Sequence, residues 1–112
     1  MTSNLDNLIE IFRKMKADGF DIMSPLKWGF YFVDPSEEKL PYVFDQLKDS
    51  DYHLEDIYLA DDGKWTLHAS KIDTLTAEKL HKRNIAFNEL ADLCQIEMYD
   101  GWDVEKLQIT DP

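Results

Sequence analysis

The sequence predicts an α+β fold: a ferredoxin-like βαββαβ sandwich whose four-stranded antiparallel sheet is covered on one face by two helices, with an additional N-terminal helix in front. Three observations predict it. Apolar residues recur at spacings of three and four in three segments, short aromatic and apolar runs separate those segments, and an Asp-Gly pair sits between the middle two runs. At 112 residues the chain supports one core, so residues 1–112 are assigned to a single domain, with the N-terminal helix at 4–18 and the ferredoxin-like core at 27–105.

The elements follow in order. Leu5, Leu8, Ile9, Phe12 and Met15 give one apolar helical face, and Gly19 ends that helix. After a linker comes Lys27-Trp-Gly-Phe-Tyr-Phe-Val33, with Trp28, Phe30 and Phe32 on one face and Tyr31 and Val33 on the other. A strand apolar on both sides belongs in the centre of a sheet. Asp34-Pro35-Ser36-Glu37 has the form of a helix start, with Asp34 as cap and Glu37 at the reciprocal position. Leu40, Val43, Phe44 and Leu47 then form a stripe. Pro41 removes a backbone donor, so the first turn is irregular or the helix proper begins near Leu40.

Residues 52–60 and 64–72 flank Asp61-Asp62-Gly63, a hairpin signal because Asp-Gly accepts positive φ. A two-residue loop at Asp62-Gly63 sets Ala60 opposite Trp65, Tyr58 opposite Leu67 and Ile57 opposite His68. Leu54, Tyr58, Trp65, Leu67 and Ala69 then share the core face. Glu55, Ile57, Leu59, Thr66, His68 and Ser70 share the other. Thr74 is the expected cap of a long helix over 75–94, and Ile96, Met98 and Tyr99 give a last short strand.

Composition narrows the function. The chain is 44% hydrophobic and 12% aromatic, enough to offset chain entropy. Its 23 Asp and Glu against 12 Lys and Arg leave a net charge of −11, which disfavours nucleic acid and anionic membranes as partners and favours a basic protein. Solubility alone also accounts for acid of this kind. Tyr31 on an open sheet face could stack a base, but Lys79, Lys82 and Arg83 fall on the helical side, away from it. Cys94 lies in a helical apolar pattern and reads as a small buried hydrophobe. The start Met-Thr-Ser-Asn-Leu-Asp lacks the basic and apolar regions of a signal peptide, and no apolar run approaches the ~20 residues of a membrane span. The expected location is the cytoplasm.

No catalytic or metal site is expected, and no cofactor. His53, His68 and His81 lack metal-ligand spacing, and Asp61-Asp62-Gly63 lacks the ligand ladder of a calcium loop. There is no phosphate-cradling Gly loop, nucleophile elbow or Cys/His pair.

The pattern Gly29-Phe30-Tyr31-Phe32 with Asp34-Pro35, the hairpin Asp61-Asp62-Gly63-Lys64-Trp65, a long helix and then Tyr99-Asp100-Gly101-Trp102 resembles the family of the regulator of ribonuclease E activity B (RraB) over roughly residues 27–105. The resemblance implies a cytosolic bacterial protein, not an enzyme, that binds ribonuclease E and lowers its activity in RNA decay. The family's members extend into a strongly acidic tail, whereas this sequence ends at Asp111-Pro112. The expectation is therefore a different or weaker mode of binding, or another target.

The candidate partner-binding residues are Asp61, Asp62, Asp100, Trp102 and Asp103. Residues 49–63 and 89–105 contain acids but no Lys or Arg, which suits electrostatic steering toward a basic partner as well as a plain solvated surface. Gly101 between aromatics marks a bulge or a close backbone approach in a packed strand, or else Trp102 stands out among acids as an anchor. The same composition fits an immunity protein or antitoxin that neutralises a basic toxic nuclease. A small-molecule sensor domain on the same sheet ranks third.

Overall fold

A computed structural model of the chain describes residues 1–107, so Asp111-Pro112 lies outside the described residues. The elements run α1 (Leu5–Ala17), β1 (Leu26–Asp34), α2 (Leu40–Leu47), β2 (His53–Leu59), β3 (Trp65–Asp73), α3 (Ala77–Leu93) and β4 (Met98–Glu105). The four strands form one antiparallel sheet in the order β2-β3-β1-β4. Each of α2 and α3 therefore carries the chain across an intervening strand, which is the expected α+β architecture with its helical preface.

β1 is central because both of its faces can be covered. Trp28, Phe30 and Phe32 are almost wholly buried beneath the helices, and Val33 is buried on the opposite face. Phe30 and Phe32 meet Phe87 of α3 edge-on at 5.1 and 5.4 Å, and Phe12 of α1 stacks on Trp28 at 5.8 Å. α1 thus joins the helical layer beside α3 and leaves the other face of the sheet open. It is capped by Asn4, whose side chain accepts from the Asn7 amide. It ends where Gly19 takes φ +93°, with the Phe20 amide returning to Met15 O and the Gly19 amide to Lys16 O.

Three local expectations are corrected. Asp34 does not cap a helix: its carboxylate, 4% exposed, accepts from the Ser36 amide at 2.8 Å and the Glu97 amide at 2.9 Å, tying the end of β1 to the turn before β4. Residues Glu37–Lys39 instead form a 3₁₀ turn that leads into α2, with Pro41 in the first helical positions, where its missing donor costs nothing. The cap of α3 is Thr76 rather than Thr74, its hydroxyl accepting from the Lys79 amide. The last strand is also longer than expected and takes in all of Met98–Glu105.

The hairpin differs by one residue. Ala60 N bonds Lys64 O and Gly63 N bonds Ala60 O, so the loop is Asp61-Asp62-Gly63, with Gly63 at φ +82°. Leu59 then pairs with Trp65, Tyr58 with Thr66 and Ile57 with Leu67. A one-residue slip exchanges the faces of a strand, so Ile57 and Leu59 lie on the helix side and Tyr58 on the open side. A bulge at Glu55 restores the expected side for Leu54, opposite Ala69.

Candidate functional site

The open face of the sheet is built from alternate residues of all four strands. Lys27, Gly29, Tyr31 and Val33 come from β1, and Thr66, His68, Ser70 and Ile72 from β3. β2 adds His53, Asp56 and Tyr58, and β4 adds Met98, Gly101, Asp103 and Glu105. At its centre Tyr31 lies flat against His68, with ring centroids 4.4 Å apart. The Tyr31 hydroxyl donates to Asp103 Oδ2 at 2.6 Å. Burial, and then the hydrogen bond to Asp103, push the Tyr31 hydroxyl's pKa well above its ordinary value, so it stays a donor.

Gly29 makes this arrangement possible. A Cβ at that position would collide with Asp103 Oδ1 and come within 2.8 Å of His68 Nε2. The carboxylate and the imidazole both lean over the bare glycine backbone, filling the space a side chain would take. Beside them Lys27 Nζ sits 2.9 Å from Glu55 Oε1 and 3.5 Å from Glu105 Oε1. Glu55 Oε1 also accepts from the Ser70 hydroxyl at 2.7 Å. The Ser70 hydroxyl first and the Lys27 ammonium next hold Glu55 below its ordinary carboxyl value, while Glu55 holds Lys27 above its own.

The Tyr99-Asp100-Gly101-Trp102 segment divides between two roles. Gly101 adopts φ +119° at a bulge, where Phe32 pairs with Tyr99 but Tyr31 pairs with Gly101, leaving Asp100 as the extra, exposed residue. Tyr99 is a core pillar: it is fully buried, and its hydroxyl donates to Asn84 Oδ1 of α3 at 2.6 Å. Trp102 is half-buried on the helix side, its ring 5.7 Å from Trp28. Of the five sequence candidates, only Asp103 therefore lies within the open-face network. Asp61 and Asp62 sit in the hairpin loop at one end of the sheet, Asp62 Oδ1 accepting from the Lys64 amide. Asp100 lies toward that end too, and Lys64 Nζ joins the loop to Glu97 at 2.9 Å.

Sequence reasoning left three members of this face, Lys27, Gly29 and His68, out of the candidate site. His68 was placed on the second face of the sheet and set aside as a metal ligand, and its position opposite Tyr31 puts it at the centre of that face. Gly29 entered only through the family resemblance, and Lys27 only as the start of the β1 run. Signals for them existed in the alternation of β1, but only the β1–β3–β4 register joins Gly29 to Asp103 and Tyr31 to His68. Cys94 is partly buried against the core, which pushes its thiol's pKa up.

Charge is divided unevenly between the layers. Only Lys27, Lys64, Lys71 and Lys106 lie outside the helices and the 3₁₀ turns that flank α2. Each is engaged: Lys27 and Lys64 with glutamates, Lys71 over the Tyr52 ring at 5.1 Å and Lys106 over the Phe20 ring at 5.1 Å. Asp56, Asp61, Asp62 and Asp100 form no salt bridge among the described residues. The strand layer thus presents unneutralised carboxylates, whereas the helical layer carries both signs. Among the described residues no three His, Cys, Asp or Glu come together as metal ligands, and no helix is long and apolar enough to cross a membrane.

No curated protein matches the chain. The family model described as "Regulator of ribonuclease activity B" matches residues 6–104, from within α1 to near the end of β4. The match takes in the N-terminal helix that the sequence resemblance left out, in keeping with the packing of Phe12 on Trp28. With nearly all of the described residues covered, the chain belongs to the family of regulators of ribonuclease activity B.

Proposed function

We propose that this chain is a non-enzymatic protein that binds a ribonuclease of the ribonuclease E type through the acidic strand layer and thereby lowers the enzyme's activity in RNA decay. The observation that carries the reading is the charge division: every cation of the strand layer is engaged, while Asp56, Asp61, Asp62 and Asp100 are unpaired among the described residues. Such a surface attracts a basic segment over a Debye length of about 8 Å at physiological salt and repels RNA. Occupying a basic segment of the enzyme takes from RNA the cations that would otherwise hold its phosphates.

Asp61, Asp62, Asp100 and Asp103 are the acidic contacts in this reading, and Trp102 supports β4 beneath them. The test is association with purified ribonuclease E across a salt series. Binding is expected at low salt and is expected to weaken as salt rises. Reversing Asp61 and Asp62 together to Lys should slow association roughly tenfold, because unpaired surface charge acts mainly on the encounter rate. Binding that ignores both salt and charge reversal would refute the electrostatic mechanism.

A further inference from the structure

The two edges of the sheet are not equivalent. Along β4 the edge is broken by the bulge at Asp100-Gly101, and the Tyr99 carbonyl accepts a hydrogen bond from the backbone nitrogen of Met1 at 2.9 Å. Along β2, among the described residues, no element lies outside the strand, which pairs with β3 alone. Because Ala60 N bonds Lys64 O, the ladder alternates so that Ile57 and Leu59 turn their amides and carbonyls away from β3, toward solvent.

Edges of this kind are commonly guarded by Lys or Pro, and β2 has neither. It is lined instead by exposed apolar and acidic side chains that alternate by face. Ile57 and Leu59 lie on the helix side, with Leu59 56% exposed, and Asp56 and Tyr58 lie on the open side. From Asp49 to Gly63 there is no Lys or Arg.

We propose that β2 is a strand-addition edge that takes an extended, lysine- or arginine-bearing segment of a protein partner as a fifth strand. The backbone of that segment bonds the outward groups of Ile57 and Leu59. Its basic side chains face Asp56 and the hairpin carboxylates, and its alternate apolar side chains cover Ile57 and Leu59. The occupant is set by complementarity: an acidic partner meets repulsion from Asp56, and a wholly polar one leaves Leu59 uncovered. The proposal rests on the reading above that the partner is a basic protein, and it names the surface and the backbone geometry that reading leaves open.

The experiment is amide hydrogen exchange on the full chain, followed residue by residue, with two probes. One is ribonuclease E, and the other is a peptide of alternating lysine and valine as long as β2. Slowed exchange at Ile57 and Leu59 is expected from each, and with the peptide β4 is expected to stay unchanged. The Leu59→Pro variant removes one outward amide without touching a ladder bond, and it should weaken peptide binding about fivefold, the equivalent of one hydrogen bond.

If the peptide protects β2 and ribonuclease E does not bind, the choice of enzyme falls and the edge stands. If ribonuclease E binds while Ile57 and Leu59 keep their exchange rates, the edge is overturned and the choice of enzyme survives. Unchanged exchange with both probes overturns it as well, and because this is measured on the unsubstituted chain, the conclusion does not depend on how well the proline variant folds.

Discussion

Replacing Gly29 with Ala tests whether the open face is an organised network or a set of independent surface groups. The new methyl meets Asp103 Oδ1 in collision and His68 Nε2 at 2.8 Å, so both side chains must leave their places. Asp103 then loses the Tyr31 hydroxyl, and His68 loses its stack on the Tyr31 ring. A hydrogen bond to a charged acceptor contributes about 1.5 kcal/mol and the ring contact about 0.5 kcal/mol. Against these, Ala is favoured over Gly within a strand by about 0.7 kcal/mol. The net expectation is a loss of roughly 1 kcal/mol in stability. Urea unfolding of the wild type, Gly29→Ala, Tyr31→Phe and the double variant forms a cycle that reads this directly. In the Tyr31→Phe background the hydrogen bond is already gone, so Gly29→Ala should cost much less there. If Gly29→Ala stabilises the protein, or costs the same in both backgrounds, the network does not exist as described.

Other expectations follow from the same geometry. Tyr99→Phe leaves Asn84 Oδ1 buried without its donor and should cost about 2 kcal/mol in thermal or urea unfolding; a loss below about 0.5 kcal/mol would contradict that account. Asp34→Ala strips two amides, those of Ser36 and Glu97, of a buried acceptor and should cost about 3 kcal/mol by the same assays. The Lys27–Glu55 pair fixes a pH dependence. Glu55 is held below its ordinary value of 4.5, so its contribution is present above that pH and disappears as pH falls through the lowered value. Lys27 is held above 10.5, so its contribution persists below that pH and disappears as pH rises through the raised value. Stability measured for Glu55→Gln and the wild type should therefore differ near neutrality and converge in acid.

Much of the architecture was legible in the chain because it rests on local periodicity. The alternation of Trp28, Phe30 and Phe32 with Tyr31 and Val33 marked β1 as central, and apolar spacing located all three helices. Gly19 and Gly101 announced a helix end and a strand irregularity through the same cause, a backbone turned to positive φ. Charge excess and the Tyr99-Asp100-Gly101-Trp102 segment pointed to the family.

Register and pairing were not legible. Asp61-Asp62-Gly63 supports a two-residue or a three-residue loop by composition, and the choice between them moved Tyr58, Ile57 and Leu59 to opposite faces. Asp34 carries the signature of a helix cap, yet its carboxylate is drawn to an amide more than sixty residues away, at Glu97.

The sequence by itself determined the element order, the helix-covered core and the acidic character, because each depends on residues near one another in the chain or on totals. Only the tertiary structure decided that Gly29 lies under Asp103, that Tyr31 rests on His68, and that β2 keeps an open edge. Those facts depend on which strands meet and in what register, which is set by packing summed over the whole sheet rather than by any one segment.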